Sequence, residues 1–540
     1  MTRRALVPVA IVALVGGLGT FLALHLDAEL PRWLRGEAAS DDATSSPSAP
    51  SAPSSPAPSD AASASAASAS GGASSGEPSS GAPSASESSL GASTTSTASG
   101  ATDTAASGAT DTAASGAPVA LLDRPLRVVS LRWEAAAPIG VAAGGATSVD
   151  GSIVARSGLA QEVSVVARAS EVEEALARGG IEAGGADVAI VPLATWVSSY
   201  DRLAALETEA FFVAGFSRGA EVLFAGPSLR ADERLPSVFA IAGDRSAPET
   251  LVLLSLLAEA GVDRERLRFV SAETDALMAT ADRESSDAEL RARGRRPWMS
   301  SADAPRLAPW VVIAPRSFVR AHQPALVAWA SSWLQGAELL ARDVPRGARV
   351  IAAITGAPPL VDALRRLGHL ERVDLAGQAE LAGLSGRSFL TLEALFLRAW
   401  SAYRATGVVQ GPPPETLPIA TGTIATLVRR TGPAPTERAP FRRGESVALE
   451  RALFTFPFEA PRTERSRSAD ADATSLLVAR LGFVAAAFPR SMLVITVPRD
   501  RESAVRAMVL GAVERYGLET ERIDVRVDAR DANLRVLPPL

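Results

Sequence analysis

From Leu126 onward, short unbroken apolar runs alternate with amphipathic stretches, and nothing else in the chain restricts its fold as strongly. The sharpest instance is Arg178–Ser198, RGGIEAGGADVAIVPLATWVS. A strand as apolar as Val188–Val191 must be covered on both faces, as in α/β domains whose helices flank a largely parallel sheet. Just upstream, Glu171–Arg178 reads as a helix closed by Gly179 and Gly180. Downstream, a polar loop is predicted to hold Thr195 and Trp196. Asp187 stands where the strand begins, so neighbouring backbone N–H groups should hold its carboxylate.

The alternation repeats. Strands are predicted at Pro125–Trp133, Glu162–Ala167 and Ala210–Gly215, with helices between them. Such an order implies a doubly wound, mainly parallel sheet. Ligands in these sheets bind beyond the carboxyl ends of the strands. Thr195 and Trp196 are therefore candidate ligand contacts, with core packing an equal reading for Trp196. Trp133, at the end of the first strand, carries the same two readings.

Composition removes several function classes. The chain has 540 residues and a formal net charge of -6, with no basic patch interleaved with aromatics, which argues against a nucleic-acid partner. It contains no cysteine, so disulfides, thiolate metal sites and a cysteine nucleophile are excluded. Every basic residue other than histidine is arginine. Histidine occurs only at positions 25, 322 and 369, and neither a nucleophile elbow, a Walker loop nor an acidic metal cluster is present. A binding protein without cofactor or metal is expected, not an enzyme.

The amino terminus has its own logic. Ala5–Leu26 is uncharged apart from His25 and follows Arg3 and Arg4. A helix of that length crosses ~30 Å of hydrocarbon. It reads as a single-pass inner-membrane anchor with the bulk of the chain in the periplasm; the competing reading is a cleaved signal peptide. Residues 38–118 are Ser, Ala, Pro, Gly and Thr with scattered acids. They bury too little to offset their ordering entropy and should form a disordered linker. Its relaxed span would be ~50 Å, and its taut reach ~260 Å.

Residues 126–408 resemble the periplasmic solute-binding proteins of ABC importers, type II fold, of the sulfonate, nitrate and thiamine-precursor group. The resemblance rests on EEALARGG…GADVAIVP, on Phe216–Ala225 as a crossover into a second lobe, and on Ser237–Gly243 followed by DRSAPET and LVLLSLLAEAG. It also includes Trp310–Ala314 as the return strand and a helix over Pro324–Leu340. It implies a two-lobed domain over residues 119–410 that captures a small solute and hands it to an ABC permease. In Arg245–Thr250, Ser246 can cap a helix whose first turn holds Pro248. The free N–H groups there, with Arg245 and Thr250, suit an anion; Glu249 departs from that pattern, and an ordinary capped helix is the other reading. Asp303 falls where the family has an acidic or polar cleft residue, although the preceding element, RARGRRPWMSSADA, departs from the family.

Beyond a connector at residues 411–445, the order from residue 446 to 540 is β-α-β-α-β-β. FTFP at Phe454 and RAMVLGAVERYGLETERIDVRV from Arg506 resemble the OmpA-like domain that binds peptidoglycan. The resemblance places its diaminopimelate grip on Asp500 and Arg506. The loop between them is shorter than in the family, which leaves a packing-only domain as an alternative. The whole then reads as α/β: a two-lobed type II binding protein fold plus a small OmpA-like domain, preceded by one transmembrane helix and a disordered linker. The rival reading is a structural envelope protein whose lobes no longer bind a ligand.

Overall fold

The computed structural model describes residues 119–226, 238–271, 276–356, 360–386, 390–432, 454–457, 469–528 and 532–537. All of them belong to one compact unit, Ala109–Leu540. The segments read as anchor and linker lie outside the described residues. Among the described residues no helix is long and apolar enough to cross a membrane.

Two sheets form the central part. The first joins β1 (Leu126–Ser130), β2 (Gln161–Val165), β3 (Val188–Pro192) and β4 (Thr208–Ser217) with two later strands, β10 (Pro309–Pro315) and β11 (Leu370–Arg372). Its order is β11-β4-β10-β3-β1-β2. The second sheet contains β5 (Glu221–Ala225), β6 (Phe239–Ala242), β7 (Leu267–Val270), β8 (Met278–Asp282) and β9 (Arg296–Ser300), in the order β7-β6-β8-β5-β9.

The pairing is reciprocal. β1 runs parallel to β2 and β3, and β6 runs parallel to β7 and β8. The chain leaves the first sheet after β4 and enters the second as β5, antiparallel to both its neighbours. It returns after β9 as β10, antiparallel to β3 and β4. Each sheet thus holds one strand received from a crossover. The two crossovers are tied together: the Gly219 N–H donates to Ser301 Oγ (2.7 Å), and the Ser301 N–H donates to the Glu221 carbonyl (2.9 Å).

Local chemistry explains the first lobe. All five residues of β3 are buried, as its unbroken apolar run requires. Asp187 accepts from one backbone N–H, that of Arg127 (3.0 Å), and is gripped in addition by a bidentate Arg124 (2.6 and 2.7 Å) that the sequence did not point to. Gly180 makes room for that clamp, since a Cβ there would lie 2.1 Å from Asp187 Oδ1. On the other sheet face, helix Gln323–Arg342 drives Trp329 and Trp333 against Phe211 and Phe212, with ring centroids 5.1–6.1 Å apart. Burying each such ring contributes on the order of 2–3 kcal/mol.

Several predicted boundaries move. β1 ends at Ser130, and Trp133 opens helix α1 (Trp133–Ala143) instead of closing the strand. The predicted loop after β3 is helix α2 (Leu193–Ser198), whose inner face is Leu193, Ala194, Trp196 and Val197. The stretch read as a connector contains a helix, Gly422–Thr431, that packs on the first lobe. Ahead of it, the Ala420 N–H donates to the Ala210 carbonyl (2.8 Å), extending the sheet edge.

The carboxyl-terminal sheet has β12 (Phe454–Pro457), β13 (Met492–Val497), β14 (Ile523–Val527) and β15 (Asn533–Leu537), in the order β12-β15-β13-β14. Helices Ala469–Ala487 and Glu502–Tyr516 give the β-α-β-α-β-β sequence of elements. Arg522, buried, donates to the carbonyls of Ala485 (3.0 Å), Phe488 (2.5 Å) and Ser491 (3.2 Å), which closes the end of the first of these helices. This part shares a continuous core with the lobes.

Candidate functional site

The reciprocal exchange brings the carboxyl ends of β1 and β8 together. On the first-lobe side, Ser130 Oγ donates to the Arg132 carbonyl (2.6 Å) and fixes the turn into α1. Arg132 then forms an ion pair with Asp282, the last residue of β8 in the second lobe. This pair spans the cleft.

The second lobe supplies carboxylates. Glu221 opens β5 and lies directly opposite Asp282 in the antiparallel ladder. Side chains in that relation share a sheet face with Cβ atoms roughly 5 Å apart. Glu221 is 6% exposed, and its Oε2 has no hydrogen-bond partner among the described residues. Glu249 stands in the first turn of helix α3 (Pro248–Glu259). Burial, reinforced by the nearby charges of Glu221 and Asp244, pushes its carboxyl from 4.5 to about 7, against the opposing pull of its backbone hydrogen bond and of Arg132. A cavity of about 10 Å³ lies between the lobes, bounded by Glu221, Pro192, Pro248 and Trp310. That is the room of roughly one water.

The predicted site residues fall in several places. Thr250 is fully buried, with its Oγ1 2.8 Å from Thr280 Oγ1. Gly243 permits this packing, because a Cβ there would meet Thr280 Oγ1 at 2.1 Å. Ser246 is not the helix cap; α3 starts after Ala247 without a side-chain cap, because the Ser246 N–H and Oγ both turn back to Asp244 Oδ1 (2.9 and 2.8 Å). Arg245 is exposed, its guanidinium 5.0 Å above the Phe269 ring. Arg245, Ser246 and Thr250 therefore lie about the start of α3, but Ser246 does not cap it and Thr250 is turned into the core.

The others do not join them. Trp196 is 1% exposed, its Nε1–H donates to Thr208 Oγ1 (2.9 Å), and its ring packs on Phe396 at 5.2 Å, so it is core. Trp133 is buried in a cluster with Leu340, Ile351 and Leu367. Thr195 is half-buried on α2, where its carbonyl accepts from Ser198 Oγ (2.9 Å). Asp303 accepts from the Ser300 N–H (2.9 Å), which makes it a turn-former at the second crossover.

Asp500 and Arg506 do not form a grip in this structure. The Arg506 guanidinium is bonded to Glu502 (2.9 Å) and the Val525 carbonyl (3.2 Å), while exposed Asp500 faces Arg501 at 3.9 Å. The shortened loop leaves the arginine to its own helix neighbour.

Sequence reasoning missed Arg132, Glu221 and Asp282, and treated Glu249 only as a departure. The available signal was charge at the ends of apolar runs, in SLRW, GAEVLF and MATAD. It also missed helix α4 (Leu392–Thr406), which packs against both α2 of the first lobe and α3 of the second. From α4, Tyr403 Oη donates to the Ser246 carbonyl (2.8 Å) at the rim of the cleft. Arg398 pairs with Glu259 and lies 3.7 Å over Phe483 of the carboxyl-terminal part. Arg490 of that part reaches Glu371 of β11 at 3.0 Å. Arg480 of that part also pairs with Glu259 of α3 at 3.6 Å, so α4 and the carboxyl-terminal part together strap both lobes.

No family model matches the sequence, and no curated protein does. Among solved structures, the chain is similar to a putative periplasmic sulfonate-binding protein SsuA from Methylobacillus flagellatus KT, at 14% identity over 59% of this chain and 97% of that one, TM-score 0.41. It is also similar to the alkanesulfonate-binding protein SsuA from Xanthomonas axonopodis pv. citri bound to MOPS, at 14% identity over 55% and 98%, TM-score 0.35. A third similar structure is the desulfurization enzyme DSZB, at 12% identity over 57% and 100%, TM-score 0.35.

Proposed function

We propose that this protein captures a small solute between its two lobes, as the envelope-anchored binding component of an ABC-type importer. The observation that carries the reading is the reciprocal strand exchange, which supports the type II resemblance and sets two sets of strand ends face to face across two short crossovers. Ligands enter crevices of this kind, and two crossovers joined by the Gly219–Ser301 bond make a natural hinge. The apolar Ala5–Leu26 would hold the protein to the inner membrane, and the long linker would let the lobes work away from it. Binding, not catalysis, is the role. A thermal-shift screen of the full-length protein tests this, because a ligand that binds only the folded state raises its melting temperature by mass action. A flat response to every solute tried would remove the reading.

A second reading has its own support: an envelope protein of structural role whose cleft stays shut. The Arg132–Asp282 pair and the carboxyl-terminal strap favour it. Small-angle scattering decides between them, since a binding protein changes its radius of gyration on adding solute and a shut scaffold does not. Association of the OmpA-like part with peptidoglycan belongs to this proposal as well. Full-length protein should sediment with purified peptidoglycan; sedimentation no greater than in its absence would leave that part as a packing module.

A further inference from the structure

We infer that the cleft selects a small organic cation of the guanidinium or ammonium type; the inference rests on the solute-capture reading above and names its substrate class. Three carboxylates of the second lobe stand on different elements at the cleft: Glu221 on β5, Asp282 on β8 and Glu249 on α3, the last within reach of the charges of Glu221 and Arg132. Glu221 and Asp282 are direct ladder partners. Like charges in that position oppose one another unless a cation lies against them. Glu221 is also more than nine-tenths buried, lines the interlobe cavity, and its Oε2 has no hydrogen bond among the described residues. A buried carboxylate oxygen in that condition is an acceptor waiting for a donor.

The first lobe already shows what fits. The guanidinium of Arg132 crosses the cleft and rests on Asp282. A ligand bearing the same kind of group would serve Glu221 as Arg132 serves Asp282, through charge-assisted hydrogen bonds. An anion is poorly received. Besides these three carboxylates it would meet Asp244, whose charge reaches Glu249. Arg245, the cation expected to welcome it, lies over Phe269. The helix start that would attract it already has Glu249 in its first turn and Tyr403 hydrogen-bonded at its rim.

Calorimetric titration and thermal shift of the full-length protein at pH 8 test the inference, with methylguanidinium and putrescine as one probe series and ethanesulfonate and nitrate as the other. The expected result is binding of at least one cation, weakened tenfold or more by Glu221→Gln, and no binding of the anions. Glu249→Gln, at a half-buried position, serves if Glu221→Gln fails to fold, and should weaken the cation several-fold. Tighter binding of an anion than of either cation, or cation affinity unchanged in the variants, would overturn the inference while leaving solute capture standing. Silence from both series would remove the two together.

Discussion

The two lobes reach the cleft from sheets of the same internal order and present opposite charges to it. The first offers Arg132 on a turn pinned by Ser130; the second offers Glu221, Asp282 and Glu249 on two strand ends and a helix start. Topology set where strand ends would meet, but side-chain identity set what they do on meeting. The lobes also differ in how they are held. The first is clamped internally by Asp187 and its arginines and by rings packed on the sheet. The second is held at the cleft from outside, by Arg132 and by α4.

The largest effect should come from cutting the packing that joins the lobes. Trp196→Ala removes a buried ring on which Phe396 of α4 rests, and should lower unfolding free energy in urea by about 3–5 kcal/mol. Solute affinity in the folded fraction should stay unchanged; a selective loss of affinity would return Trp196 to the cleft.

Next is the pH dependence of the second lobe. The Glu249 carboxyl titrates near 7 when folded against 4.5 ordinarily. Because the folded pKa is the higher one, its contribution is fully present below pH 4.5 and is lost as pH rises through 7. The shift corresponds to on the order of 3 kcal/mol. Denaturation midpoints from pH 4.5 to 8 should fall in the wild type and flatten in Glu249→Gln, with no such slope traced to the first lobe.

Breaking the cross-cleft pair is expected to be milder. Arg132→Ala leaves Asp282, 19% exposed, beside Glu221. It should cost about 1–2 kcal/mol and increase the radius of gyration in scattering. An unchanged radius would show that the strap alone closes the lobes. The smallest effect belongs to Tyr403→Phe, which deletes one hydrogen bond to the Ser246 carbonyl for about 1 kcal/mol. Hydrogen exchange should quicken at residues 244–250 and stay constant in the first lobe.

The sequence by itself determined the strands and helices whose signal is local. Val188–Pro192 had to be a strand buried on both faces because none of its residues tolerates water. Glu502–Tyr516 had to be a helix stopped by Gly517, which takes a positive φ of 63° that suits glycine. The crossover at Phe216–Ala225 and the return strand at Trp310 were legible through pattern and resemblance. What only the tertiary structure decided is everything that depends on pairs far apart in the chain. Arg132 and Asp282 are separated by 150 residues, and no periodicity relates them. Glu221 and Asp282 become neighbours only through a ladder that forms after the chain has crossed between sheets. Tyr403 lies 157 residues from the carbonyl it serves. Local propensity acts over a turn or two of chain, whereas the charge of a cleft is summed over elements that folding brings together, so the strands could be read in sequence and the site had to be built.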